Sequence, residues 1–368
     1  MKSRNYKFKI HPITPFHIGN GDVHDPLNLV IKDNMAYFLN QLEYIRFLLA
    51  KDARLLQAKL AVSDIKQIQQ YFHEAFNPAQ KQCYYFSYPV SEAICKDYAK
   101  KMQNLQAEGF VHAFIRSQLS KQPYIPGSSI KGAFRTAILS HYQHEKPQVS
   151  LRNTDRDDRR IQAEHLNYWN YDRNRDDIPS DPFKFIKFAD TPWSNEWMGI
   201  FEIGVTEPPA ALDRQANPFF RAGASPMRRK EATLPILMEI ALSKPGRFIE
   251  SDLSIAVTDT KNRGIAKIQP KGVDDLSPLL DMVRQYYHAQ LEKESTFYSR
   301  LDGKAKQNYE VITKAHASLK AHECMIKLGQ GSGQNYCSYA AMNYNPKTRK
   351  LCYNLPMGWM KLSFDLGG

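Results

Sequence analysis

Long apolar runs are missing from this chain. Those present are short, such as Phe47-Leu48-Leu49-Ala50, far short of the roughly 20 apolar residues a membrane span needs. The opening residues, Met1-Lys2-Ser3-Arg4-Asn5-Tyr6, hold no apolar signal-peptide stretch, so a cytoplasmic protein with no membrane partner is expected. Cysteine is scarce as well. The five cysteines lie at 83, 95, 324, 337 and 352, an odd number with no CxxC spacing. That argues against a disulfide framework and against a cysteine zinc site, and for reduced thiols. Familiar catalytic signatures are absent too: there is no HExxH, no GxSxG and no GxxxxGK[ST]. No paired metal carboxylates stand out, so neither a metal nor a cofactor is expected.

What the chain does have is charge of one sign and enough apolar residues to fold. Fifty Lys and Arg against 38 Asp and Glu leave a net charge of +12 over 368 residues, with 42% hydrophobic and 12% aromatic residues. A length of this order favours about two domains, taking roughly 150 residues for each. The positive excess calls for an acidic partner, and nucleic acid is the commonest. A merely soluble basic protein is the alternative.

The first strand is legible at once. Tyr6, Phe8 and Ile10 alternate with Lys7 and Lys9, giving one buried and one basic face. It stops at Pro12 and Pro15, before a loop Phe16-His17-Ile18-Gly19-Asn20-Gly21-Asp22. Leu27 to Ile31 and Met35 to Leu39 flank a Lys32-Asp33-Asn34 turn and read as a hairpin. Helices are expected over 41–50, 55–76 and 130–142, and a strand over 111–115. The second face of that strand carries His112, Phe114 and Arg116, which suits stacking on bases or a half-buried sheet equally. Residues 152–177 hold six Arg against seven Asp and Glu and read as a solvated, charged insertion.

Strands are expected at 183–188 and 199–205, and Glu207-Pro208-Pro209 reads as a domain boundary. This gives two domains, 1–206 and 207–368, the first with insertions at about 50–105 and 144–182. The second half offers strands near 233–242 and 247–257, helices over 277–296 and 304–321, and a strand at 324–328. Gly329-Gln330-Gly331-Ser332-Gly333 follows, then a short helix near 336–342 and a last strand at 359–364. Each half has a β-α-β-β-α-β-like rhythm, so the expected class is α+β with two tandem ferredoxin-like domains.

Candidate chemistry gathers at the glycines. Gly127, Ser128 and Ser129 precede the apolar stripe Ile130, Phe134, Ala137 and Ile138, with either serine as N-cap. Lys131 and Arg135 lie four apart near this N-terminus, where a cation opposes the helix dipole. An anion docking there would offset that, so amides, hydroxyls and two solvent-facing cations are expected to converge on a phosphate. An ordinary capped helix with solvated basic residues is the other reading. Gly329, Gly331 and Gly333 allow close backbone approach to a ligand but do not match a dinucleotide fingerprint. His17 or His24 could act as a general base, with Asp22 or Asp25 as catalytic or metal-binding groups. Local structural roles, or RNA contacts for the histidines, are the competing reading. Arg228-Arg229-Lys230 is a basic cluster that suits either phosphate or solvent.

Pro15-Phe16-His17-Ile18-Gly19-Asn20-Gly21, then Tyr124-Ile125-Pro126-Gly127-Ser128-Ser129-Ile130-Lys131-Gly132-Ala133-Phe134-Arg135-Thr136-Ala137, then a late glycine-rich loop, resemble the RAMP superfamily of CRISPR-Cas effector subunits. The middle motif carries the resemblance almost letter for letter, and the order of elements covers nearly the whole chain. The layout and the Pro356-Met357-Gly358-Trp359 ending are similar to the terminal RAMP subunit of type III-A complexes. The resemblance implies RRM-like domains and binding of crRNA. It implies stacking on the neighbouring backbone RAMP subunit, and crRNA 3′-end maturation by recruited host nucleases in antiviral defence. It does not imply an active site in this subunit. The RNA-binding residues expected on these grounds are His17, Gly19, Gly21, Arg116, Gly127, Ser128, Ser129, Lys131, Arg135, Arg228, Arg229, Gly329, Gly331 and Gly333. A RAMP endoribonuclease and a basic protein-interaction scaffold without RNA are the alternatives.

Overall fold

The computed structural model describes residues 2–62, 64–103, 111–143, 155–166, 168–206, 236–257, 276–299, 304–329 and 349–365. Strand β1 (Lys2–Pro12) buries Phe8 and Ile10 and exposes Lys7 and Lys9, as its alternation requires. After β2 (Val23–His24) comes the hairpin of β3 (Leu29–Lys32) and β4 (Met35–Leu39). Asp33 and Asn34 take φ of 52° and 58°, the left-handed pair a two-residue hairpin turn needs. Strand β5 (Tyr84–Pro89) completes a three-stranded sheet. Its two faces serve two cores: Leu29, Ile31 and Phe38 join the main core, while Val30, Tyr37 and Leu39 join a second.

That second core is closed by α1 (Gln41–Ala61) and α2 (Ile65–Ala75). The helix expected over 55–76 is broken, because the Asp64 side chain accepts the Lys66 N–H at 3.0 Å and starts α2 afresh. Asp52 also leaves helical geometry inside α1 (φ −161°, ψ 92°). Helix α3 (Glu92–Gln103) follows β5.

The middle of the chain runs through β6 (Val111–His112), β7 (Tyr124–Ile125), α4 (Gly127–Gln143) and α5 (Asp155–His165). It continues through β8 (Trp169–Asn170), β9 (Arg175–Asp176), β10 (Ile186–Phe188), β11 (Thr191–Pro192) and β12 (Met198–Thr206). Then come β13 (Ile236–Ala241), β14 (Ile249–Val257), α6 (Ser277–Ser299) and α7 (Lys304–Ala317). The described chain ends with β15 (Glu323–Lys327), β16 (Arg349–Cys352), β17 (Leu355–Pro356) and β18 (Trp359–Phe364). No described helix is long and apolar enough to cross a membrane.

Two large sheets result, and the class is α+β. The five-stranded sheet has the order β10-β14-β1-β18-β15 and is antiparallel throughout. Read along the chain, β1-α4-β10-β14-α6-β18 is a split βαβ arrangement with β15 added at the edge. Helices α4 and α6 pack on each other and on this sheet, with Phe134 against Phe188 and Phe8 stacked on Phe364, both at 5.0 Å between rings. The six-stranded sheet has the order β17-β16-β12-β13-β6-β2, with β13 and β6 parallel.

Both sheets draw strands from either side of residue 206. The split βαβ pattern expected within each half is found once among the described residues, and it spans the halves. The cause is β1, which is central: its two edges are completed by β14 and β18, far along the chain. The charged insertion also differs from expectation. Ala163, Leu166 and Tyr168 are buried in the main core, and Ile161 is buried beside them in sequence, so α5 and the residues after it form a wall beside α4 and are not a solvated appendage.

Candidate nucleic-acid interface

Where β1 ends, the chain crosses from one large sheet to the other. Pro15 accepts the Gly358 N–H at 2.9 Å, and Phe16 exchanges hydrogen bonds with Ala241 at the end of β13, at 2.9 and 3.1 Å. The glycine loop then runs beside residues 111–116, held by Ala113 N–H to Asp22 O (3.0 Å) and Ile115 N–H to Ile18 O (2.7 Å). The expected strand over 111–115 therefore reduces to β6 and these single bonds. The third motif arrives from the other side. Gly329 has φ +75°, and a Cβ there would lie 2.1 Å from the His17 carbonyl oxygen. Only glycine fits.

The result is a cleft of about 400 Å³ lined by His17, Ile18, Gly19, Gly21, Asp22, His112, Ala113, Ser129 and Gly329. The three sequence motifs, some 110 and 200 residues apart, meet in one concavity. The amides of Gly19 and Gly21 have no acceptor among the described residues. Lys350 on β16 lies close enough to bear electrostatically on both His17 and His112.

Behind the cleft sits Glu239, a fully buried carboxylate on β13. Its side chain accepts from Arg116 (2.7 Å), from His24 Nε2 (3.0 Å) and from the Phe114 N–H (2.8 Å). Burial alone would push its pKa up. The Arg116 guanidinium and the His24 hydrogen bond outweigh that and hold it at about 2. Its main-chain carbonyl accepts from His17 Nδ1 at 2.7 Å. Burial pushes the pKa of His17 below its ordinary value, with the Glu239 carbonyl opposing that fall. His17 and His24 thus bind opposite ends of one residue, and no acid–base pair is formed between them.

Several site residues sit differently from their expected places. Arg116 does not face a base. Its guanidinium lies over the Phe86 ring at 4.0 Å, hydrogen-bonds Asn195, the Lys121 carbonyl and Tyr88, and pairs with Glu239. Phe114 is 2% exposed. An arginine this enclosed needs its counter-charge inside the fold. Helix α4 begins at Gly127, so Ser128 and Ser129 lie in its first turn and neither is the cap. The Gly127 N–H is taken by the Asp190 carboxylate at 2.8 Å, an internal anion where a phosphate was expected.

Lys131 and Arg135 part company as well. One guanidinium nitrogen of Arg135 donates to both Asp181 carboxylate oxygens (2.9 and 3.1 Å), the other hydrogen-bonds the Tyr168 hydroxyl at 2.8 Å, and the group lies over Phe183 at 5.0 Å. It is a structural cation, because α5 and the residues after it enclose it. Lys131 is half-buried, and burial lowers its pKa. Of the α4 motif, Ser129 is the residue that reaches the cleft. Arg228, Arg229, Gly331 and Gly333 lie outside the described residues. Glu239, Asp190 and Asp181 were missing from the expected site, and the sequence marks His112 only as part of a strand face that suits base stacking or burial. Glu239 alone left a trace, as a single carboxylate inside the apolar run Ile236-Leu237-Met238-Glu239-Ile240, where an unpaired charge could not be buried.

The RAMP superfamily model matches residues 9–264. The chain belongs to the RAMP superfamily. Among RAMP relatives, it is 27% identical over 197 residues to "CRISPR system Cms protein Csm5" of Methanocaldococcus jannaschii, covering 50% of this chain and 42% of that one. The aligned part is thus under half the length of that relative. A Streptococcus thermophilus protein of the same name is 24% identical over 256 residues, 67% of each chain. This RAMP also shares its fold with a chain of a cryo-EM structure of a Csm–crRNA–target RNA ternary complex of a type III-A CRISPR-Cas system. The TM-score is 0.65 at 18% identity, covering 98% of this chain and 100% of that one. The crystal structure of T. onnurineus Csm5 gives 0.63 at 17% identity, covering 96% and 99%. Within the superfamily the chain is therefore a Csm5-like RAMP.

Proposed function

We propose that this RAMP is a non-catalytic RNA-binding subunit of a type III-A CRISPR effector complex. In this reading it caps the assembly near the crRNA 3′ end, next to a backbone RAMP subunit, and supports 3′-end maturation by recruited nucleases. The two large sheets are then the cores of its two RRM-like units. One observation carries the reading: the three motifs of the family resemblance converge on a single cleft, with the Gly19 and Gly21 amides unpaired among the described residues and a lysine nearby. Such a site suits a phosphodiester backbone. The relatives' names and the Csm–crRNA complex that shares the fold support the same assembly. Against catalysis by this subunit stands the geometry of the two loop histidines, each held by Glu239.

The test is binding of the purified full chain to labelled single-stranded RNA across a salt series, with cleavage followed in Mg²⁺ and in chelator. Neutralising several phosphates makes affinity fall roughly 10-fold or more over a modest salt range. Affinity that is flat with salt would leave the scaffold reading standing. Cleavage abolished by His17→Ala, His24→Ala or Asp25→Ala would establish the endoribonuclease instead.

A further inference from the structure

We propose that the Nε2 atom of His17 accepts a ribose 2′-hydroxyl, so that this one ring selects RNA over DNA in the cleft. The inference rests on the RNA-binding reading and adds to it a source of sugar specificity.

The argument starts at the other nitrogen. Nδ1 lies 2.7 Å from the Glu239 main-chain carbonyl, which can only accept, so Nδ1 carries the proton. Burial lowers the pKa of the ring, so His17 is neutral at pH 7. In a neutral imidazole with Nδ1 protonated, Nε2 is a pure acceptor. That atom has no donor among the described residues, although His17 is 3% exposed and lines the cleft. Phe114 packs perpendicular to the imidazole at 5.9 Å between rings. A Cβ at Gly19 would stand 2.7 Å from Nε2, so a glycine here spares the approach to that atom.

A lone acceptor is the wrong group for a phosphate, whose oxygens only accept. The sugar-phosphate backbone of DNA offers no hydrogen-bond donor along its length. RNA offers one per nucleotide, the 2′-hydroxyl, and this is the group by which a protein tells the two apart.

The experiment measures fluorescence anisotropy of the full chain with single strands of one sequence as RNA, as DNA, and as RNA with one 2′-deoxy position at a time. His17→Asn keeps an amide donor for the Glu239 carbonyl and removes the Nε2 acceptor. Gly19→Ala keeps the histidine and sets a methyl group 2.7 Å from Nε2, so the acceptor is blocked or pushed aside. The wild-type chain is expected to prefer RNA by about 3- to 10-fold, the worth of one neutral hydrogen bond. Both variants should lose that preference by weakening RNA alone, and the 2′-deoxy position that weakens the wild type should not affect them. Variants that weaken RNA and DNA equally, or leave the ratio intact, overturn the proposal while RNA binding stands. Should His17→Asn fail to fold, the 2′-deoxy scan on the wild type decides, and no sensitive position overturns it. A wild-type chain that binds neither strand with salt dependence overturns the RNA reading and this proposal together.

Discussion

Arg116 and Glu239 are 123 residues apart in the chain and form an ion pair at 2.7 Å, with the carboxylate fully buried and the arginine side chain 9% exposed. The pair ties β13 to residues 111–116, and through His17 and His24 it ties both to the glycine loop.

Removing one partner should therefore be expensive. Glu239→Ala leaves the Arg116 guanidinium and the Phe114 amide enclosed without this acceptor, and about 3–5 kcal/mol of stability should go. Urea denaturation followed by circular dichroism measures it. A loss under about 1 kcal/mol would mean water reaches the network.

Arg135 and Lys131 should separate in the same assay. Arg135→Ala breaks the charge-assisted contact with Asp181 and the bond to Tyr168, and about 1–3 kcal/mol should be lost. Lys131→Ala removes a half-buried ammonium with no hydrogen bond among the described residues, and the loss should stay below about 1 kcal/mol. Equal effects would refute the separation.

Two glycines of α4 should respond with opposite sign. A Cβ at Gly132 meets nothing within 4 Å, so Gly132→Ala should raise stability by about 0.5–1 kcal/mol through helix propensity. A Cβ at Gly127 would lie 1.9 Å from the Phe188 carbonyl oxygen, so Gly127→Ala should force the head of α4 off β10 and lower the melting temperature. Thermal melts of the two variants beside the wild type check both.

Stability should fall on the acid side in two stages. The pKa values of His17 and His112 are lowered by burial, so the unfolded chain binds more protons as pH drops below about 6.5, and stability declines there. Glu239 and Glu323 are each held at about 2, below the ordinary 4.5, by their cationic and hydrogen-bonding partners. Their contribution is complete above 4.5 and is lost as pH falls towards 2. Urea midpoints measured from pH 8 to pH 3 should trace that decline, and in Glu239→Gln the lower stage should be shallower. A midpoint unchanged between pH 5 and pH 3 would count against it.

Much of the fold was legible because it is local. The alternation of Tyr6, Phe8 and Ile10, the Asp33-Asn34 turn and the α6 and α7 periodicities depend on neighbours a few residues away. The glycine motifs were legible for a related reason: Gly329 must be glycine because its φ is positive and another strand of chain lies against it. By itself, then, the sequence determined the α+β class, the longer strands and helices outside its expected insertions, and the three motifs that meet at the cleft. Tertiary structure decided which cations are free. Arg116 and Arg135 look as available as Lys131 in the linear chain, but Glu239 and Asp181, 123 and 46 residues away, neutralise them. The same long-range pairing set the sheets, since β1 takes its neighbours from β14 and β18 and not from its own half. Pattern and propensity act over a helical turn or a hairpin, whereas burial of a charge is settled by whatever the rest of the chain brings beside it.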